Sequence, residues 1–313
     1  MTRAGDLLLT ALAPVVWGST YYVTTEWLPA GVPMTLAMWR ALPAGLLLLA
    51  MVRRLPPRHR LGQVLVLGTL NFAVFWTLLF VAADRLPGGV AATLGSAQAL
   101  LVLFLARGLL GTPVRAASVV AAVAGAIGVG LLVLGPAAAL DPLGLAAGVG
   151  SAAAMALGTV LSRKWQAGAT PLTFTAWQLT AGGLVLLPMA WLAEPALPAF
   201  ESGHVMGLVY LGLIGAALTY FLWFRGLARL GPATVSILAL LSPVTAVVIG
   251  WLALAQSLSP VQVVGMLVVL ASVAAGQWAA SRAPFPGRGP TGPGRRPPLR
   301  WSVSQTPRAS QTQ

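Results

Sequence analysis

PMTLAMWRALPAGL, residues 33 to 46, returns far down the chain as PLTFTAWQLTAGGL, residues 171 to 184. Pro33 aligns with Pro171, Thr35 with Thr173, Trp39 with Trp177, Arg40 with Gln178, Gly45 with Gly183 and Leu46 with Leu184. One helix written twice, with much sequence between the copies, points to a duplicated larger unit.

Composition sets the solvent of that unit. Of 313 residues, 58% are hydrophobic and 8% charged, against roughly 25% charged in a soluble domain. Such a chain cannot cover a water-facing surface, so its medium is lipid. There is no cysteine, which excludes a disulfide framework and a thiolate metal site. The net charge of +13 does not mark a nucleic-acid binder. The basic residues lie in short loops and in the tail, where membrane orientation accounts for them.

Ten apolar segments are expected, at roughly residues 6–25, 33–52, 62–82, 88–106, 116–134, 143–162, 171–191, 205–224, 232–254 and 261–280, each long enough to span. The first run continues through Trp17 and Tyr22 without a small-residue cleavage site and is expected to be a retained helix. With the N-terminus in the cytoplasm, Arg53, Arg54, Arg58, Arg60, Arg107, Arg115, Arg163, Lys164, Arg225, Arg229 and the tail fall inside. Glu26, Asp84, Asp141, Glu194 and Glu201 fall outside. Only Arg85 breaks the pattern in a loop, and only Arg40 lies at membrane depth. This bias predicts an even number of spans with both ends cytoplasmic.

The repeat extends further. Arg85-Leu86 after the third segment matches Arg229-Leu230 after the eighth. Pro113 and Pro260 precede the fifth and tenth, and Trp27 matches Trp165 while Glu26 meets Lys164. Five spans is an odd number, so the second copy enters inverted and its loops obey the opposite charge rule. The expected architecture is all-α and membrane-integral, with ten transmembrane helices as two inverted five-helix repeats, residues 1–138 and 139–280. Such repeats are typical of alternating-access transporters. Residues 281–313, rich in Pro, Gly, Arg, Ser and Gln, read as a disordered basic cytoplasmic tail.

APVVWGSTYYV in the first segment, PMTLAMWRALPAGLLLL in the second, and VSILALLSPVTAVVIGWLALAQSLSPVQVVG across the ninth and tenth resemble the EamA branch of the drug/metabolite transporter superfamily. TTEWLP and RALPAG resemble its PecM-like exporters. The resemblance covers residues 7 to 280. It implies an inner-membrane permease whose central cavity is walled by the first four helices of each half, with the fifth and tenth peripheral. The residues agree with that last point. Residues 116 to 134 hold no aromatic and only Ser118 as a polar group. Many family members carry a glutamate after the ninth helix; this chain has Gln256, and Leu109 at the matching place in the first half.

Arg40 is the foremost candidate for the solute path. A charge at the bilayer centre costs about 2.5–3.5 kcal/mol, which an anionic group or a helix-end carbonyl offsets. Snorkelling outward, or a structural pairing with Glu26, is the rival. Trp17, Ser19, Tyr21 and Tyr22 on the first helix, Asn71, Phe72 and Trp76 on the third, Gln98 on the fourth, Trp177 and Gln178 on the seventh, and Tyr220 on the eighth complete an aromatic, amide- and hydroxyl-bearing wall suited to amphipathic solutes. Interhelical hydrogen bonding is the alternative for Trp17, Asn71, Trp76, Gln98 and Gln178. Trp27, Trp165, Trp191, Trp223 and Trp251, near segment ends, are expected interface anchors. Small-residue pairs Ala121/Gly125 and Gly144/Gly148 permit close packing, within one chain or in a homodimer.

Enzyme classes find no footing. His59 and His204 are the only histidines and fall on opposite faces, which removes a His-Glu-x-x-His centre and a serine–histidine pair. Paired intramembrane aspartates and a Gly-Lys-Ser/Thr phosphate loop are absent. No cofactor is expected. The expected partners are a small solute and the lipid bilayer. Glu26 and Asp84 are the only acids placed to accept a transported proton, so a facilitator or exchanger, including one that takes solute up, stands beside a proton-coupled exporter.

Overall fold

Proline opens half of the helices. Its fixed φ suits the first helical position, where no N–H is needed. Pro33, Pro142, Pro171, Pro232 and Pro260 each do this. The computed structural model describes residues 2–29, 31–86, 94–133, 141–166, 168–195, 201–253 and 258–281. The side chains of Tyr21 and Asp84, Gln256 and the tail lie outside that description.

The helices are α1 (Arg3–Trp27), α2 (Pro33–Val52), α3 (residues 61–85), α4 (Leu94–Leu110), α5 (Ala116–Val133), α6 (Pro142–Trp165), α7 (Pro171–Ala193), α8 (Ser202–Leu230), α9 (Pro232–Ala253) and α10 (Pro260–Ser281). No strand occurs among the described residues. Eight of these segments are long and apolar enough to cross a membrane; α4 and α5 are shorter. Two helices loosen midway into π-helical turns, Thr69–Val74 in α3 and Tyr210–Leu218 in α8. α9 breaks after Leu238 and resumes at Leu241. Pro243 explains the break, because its ring removes the bond to the carbonyl one turn earlier.

The helices pair in a pattern that survives exchange of the two halves. α2 lies antiparallel on α7, with Thr35 near Glu194, Gly45 on Thr180 and Gly183 on Leu42. α5 lies antiparallel on α10, with Ala121 by Gly276 and Gly128 against Val269 and Gly265. α1 runs antiparallel to α8, from Asp6 at Arg229 to Trp27 at Gly207. Its counterpart is α3 with α6, from Arg85 at Asp141 to Asn71 at Ser162. α1 also meets α9 where Gly18 rests on Ser242 and Thr245, as α6 meets α4 where Gly148 rests on Leu94. Glycine is required at such crossings. A Cβ on Gly183 would sit 2.7 Å from the Leu42 Cα. The four small residues singled out in the sequence are spent inside the chain. Gly125 meets Leu240 and Ser272, and Gly144 meets Leu86.

The main core gathers α1, α2, α3, α7 and α8 around Leu67, Phe72, Phe174, Leu179, Trp223 and Phe224. α5 and α10 stand to one side, sharing a second core with α9. Their outward faces expose Val120, Ile127, Val264 and Leu267, as helices in lipid do.

Candidate functional site

The centre of the bundle is a layer of rings. Trp17 of α1 donates its indole N–H to Thr219 Oγ1 at 2.9 Å. Its ring lies 5.0 Å from both Tyr220 and Trp223. Phe72 stands edge-on to Tyr220 at 4.7 Å and to Trp76 at 5.3 Å, and Tyr220 reaches Phe224 at 6.0 Å. These separations are those of favourable aromatic pairs. Phe72, Trp76, Tyr220, Trp223 and Phe224 are all buried, so the layer forms a closed floor. Trp223 is therefore not an interface anchor, contrary to its place near a segment end. The antiparallel α1–α8 seam turns it inward, where it is 0% exposed against Trp17.

Arg40 sits on this floor. Its Nη2 donates to the Gly215 carbonyl at 2.7 Å, and its guanidinium carbon lies 5.0 Å from the centre of the Trp76 ring. Gly215 belongs to the π-helical turn of α8. A π turn shifts the backbone register and leaves carbonyls available; this one accepts from both Arg40 and Thr219 Oγ1, the latter at 2.8 Å. Hydrogen bonding and a cation–π contact together make a membrane-depth charge tolerable. Arg40, Trp17, Ser19, Tyr22 and Tyr210 are only half-buried. Ser19 Oγ and the Tyr210 hydroxyl share a hydrogen bond of 2.7 Å across α1 and α8. Tyr22 packs farther along the same seam with Val32, Leu36 and Leu211.

The position that matches Arg40 in the second half is used differently. Gln178 Oε1 accepts from Asn71 Nδ2 at 2.7 Å and from Ser162 Oγ at 3.3 Å, tying α7, α3 and α6 together. Asn71 lies in the π turn of α3, and the register that pairs Arg85 with Arg229 sets it opposite Gly215. Gln178 is 0% and Asn71 1% exposed, so in this conformation both are sealed between helices. Trp177 is turned to the end of α2, where its indole donates to the Arg54 carbonyl at 2.6 Å. Gln98 begins the regular part of α4 after a turn at Ala97. Its Nε2 is buried and makes no hydrogen bond among the described residues. The structure thus groups Arg40, Trp17, Ser19, Trp76 and Tyr220, pairs Asn71 with Gln178, and sets Trp177 and Gln98 apart.

Two acids carry structural duties that sequence reading missed. Glu194, read as a loop charge, accepts from Met34 N, Thr35 N and Thr35 Oγ1 at 2.6, 2.7 and 2.7 Å. It caps α2 from the far end of α7, where a carboxylate is favoured by the exposed amides. The signal was present. α2 is preceded by Val32, which cannot cap, whereas α7 has Thr170, whose Oγ1 accepts from Thr173 N at 3.2 Å. Asp6 accepts from Arg225 and Arg229 of α8 at 2.6 and 3.1 Å.

Comparison with known proteins places this architecture. The profile of the EamA-like transporter family matches residues 4–134 and again 142–275. Protein PecM of Dickeya dadantii (strain 3937) is 47% identical over 263 residues, covering 83% of this chain and 88% of PecM. An uncharacterized inner membrane transporter of Escherichia coli (strain K12), YedA, is 27% identical over 271 residues, covering 83% of this chain and 86% of that protein. A solved crystal structure superposes with a TM-score of 0.77 at 20% identity, over 90% of this chain and 100% of that one, and so shares the fold. The protein is a multi-pass membrane transporter by kinship, and the chain belongs to the EamA-like transporter family.

Proposed function

We propose that the protein is a secondary transporter of small amphipathic solutes that binds them at Arg40 and releases them by alternating access. The observation that carries this is the half-buried Arg40 guanidinium, held over Trp76 and against a π-turn carbonyl. The Ser19 and Tyr210 hydroxyls bond to each other on the same α1–α8 seam, and buried rings form the floor. Such a site offers donors to a carboxylate or carbonyl and flat apolar walls to the remainder of an amino-acid-like or drug-like metabolite. Ser19, Tyr22 and Trp17 are assigned to its walls, and Trp76 and Tyr220 to its floor. Asn71, Gln98, Trp177 and Gln178 enter the lining only when the halves move.

The moving parts are assigned as residues 1–138 and 139–280, and both chain ends as cytoplasmic; the basic residues at one end of the bundle support that orientation. Relatives named as inner membrane transporters support the same location. They also support a transporter over an enzyme. Direction is assigned as export, by analogy with the family. Glu26 and Asp84 are the only acids placed to accept a transported proton, so facilitation or exchange stands beside proton coupling.

The test is transport in proteoliposomes. Amino acids, nucleobases and aromatic metabolites would be offered with and without a pH gradient. Saturable movement of at least one class above protein-free vesicles is expected. Equal movement in both across the panel removes the transporter reading.

A further inference from the structure

The α1–α8 seam and the α3–α6 seam are one seam written twice, and each carries ions at one end. In the first, Asp6 in the opening turn of α1 binds Arg225 Nη2 at 2.6 Å and Arg229 Nη1 at 3.1 Å. The side chains of Asp6 and Arg225 are each 11% exposed. Below them Thr10 is wholly buried and packs on Gly226, leaving no room for a methyl group there. In the second, Asp141 at the start of α6 faces Arg85 at the end of α3 at 3.7 Å, with both side chains more than a third exposed. A cavity of about 810 Å³ opens beside this pair, lined by Leu78, Val81, Arg85, Leu143, Ala146 and Ala147.

The two pairs sit at opposite ends of the bundle. Arg163 and Gln166, past the middle and at the exit of α6, donate to the carbonyls of Ala228 and Phe224, next to Arg225 and Arg229. Asp141 lies at the other end of that helix of 24 residues, or about 36 Å away. α6 therefore touches both ends, so one helix links the two seams.

We infer that Asp6–Arg225/Arg229 and Arg85–Asp141 are alternating latches, each closing one face of the solute path. The structure is the state with the N-terminal end shut and the opposite end parting. Close, dry charges resist separation because each partner would be left buried and unpaired; distant, wet ones do not. Two arginines on Asp6 against one on Asp141 favour this state at rest. The inference rests on the transporter reading, and its test is independent of any solute.

The natural chain lacks cysteine, so single reporters are clean. Thr10→Cys reports the N-terminal end and Ala146→Cys, exposed beside the cavity, the other. The full chain in nanodiscs would be reacted with a membrane-impermeant maleimide. Thr10→Cys should be protected and Ala146→Cys reactive. Adding Asp6→Asn should speed labelling at position 10 roughly five- to tenfold and slow it at 146. Arg85→Gln should leave position 10 protected and speed 146. Arg229→Gln, at a half-exposed site, should act like Asp6→Asn but more weakly, and provides the measurement if Asp6→Asn does not fold. No change at either reporter, or faster labelling at both, overturns the latches. Reciprocal labelling with no solute moved in proteoliposomes keeps the latches and removes the transporter reading. Solute movement without reciprocal labelling does the reverse.

Discussion

At residue scale the asymmetry between Arg40 and Gln178 carries the functional reading. Both meet a π turn, but Arg40 brings a charge to the Gly215 carbonyl while Gln178 makes a neutral bond to Asn71. Arg40→Gln should lower solute transport at least about tenfold, because a charge-assisted bond is roughly twice as strong as a neutral one. Arg40→Lys should recover part of it, since an ammonium keeps the charge and loses the fork. Full transport by Arg40→Gln of every substrate would remove the residue from the mechanism. Asn71→Ala acts on stability instead. It leaves the Gln178 amide, at 0% exposure, with only the longer Ser162 bond, a cost of about 1–3 kcal/mol, visible as a lower Tm in detergent. Arg40 was legible in the sequence because a charge inside an apolar run is rare. The partners of Asp6 and Glu194 were not, since their bonds join residues 219 and 160 positions apart; Val32 marks α2 as lacking its own cap but does not say which residue supplies one.

At element scale the α2–α7 contact is the joint between halves. Gly45 and Gly183, already aligned in the repeat, are the two places where these backbones touch. A Cβ on Gly45 would lie 2.8 Å from the Leu179 carbonyl carbon. Gly45→Ala and Gly183→Ala should each destabilise by about 1–3 kcal/mol, since overpacking forces the backbones apart, as thermal unfolding would report. Glu194→Gln keeps an acceptor for one of the two α2 amides and turns an NH2 donor toward the other, so a comparable loss of about 1–3 kcal/mol is expected. The helices themselves were largely readable from apolar length and from prolines at their starts. The π turns were not, because a register shift of one residue leaves the hydrophobic pattern almost unchanged. The break in α9 was half-legible: Pro243 marked a kink, while its place one turn earlier, at Ala239 and Leu240, follows from which carbonyl loses its partner.

At the scale of the whole molecule, the exchange-invariant pairing of α1 with α8, α3 with α6, α2 with α7 and α5 with α10 fixes what orientation must be. Because each half holds five helices, the ends of matching helices lie on opposite faces, and one measurement at each face decides the arrangement. Arg54, Arg60, Arg163, Arg225 and Arg229 collect at the end where α2 and α8 finish, through Trp177 on the Arg54 carbonyl, Arg60 against Gly168 and Arg163 on Ala228. We assign this positive face to the cytoplasm. Reporters must avoid positions with structural duties, which excludes Glu194. Arg58 and Gly203 are exposed, and nothing packs on Gly203. In intact cells, Gly203→Cys should react with an impermeant maleimide and Arg58→Cys should not; in inverted vesicles the preference should reverse. Labelling of both from one side would break the antiparallel relation of the halves, and with it the basis for a path that opens alternately to either compartment.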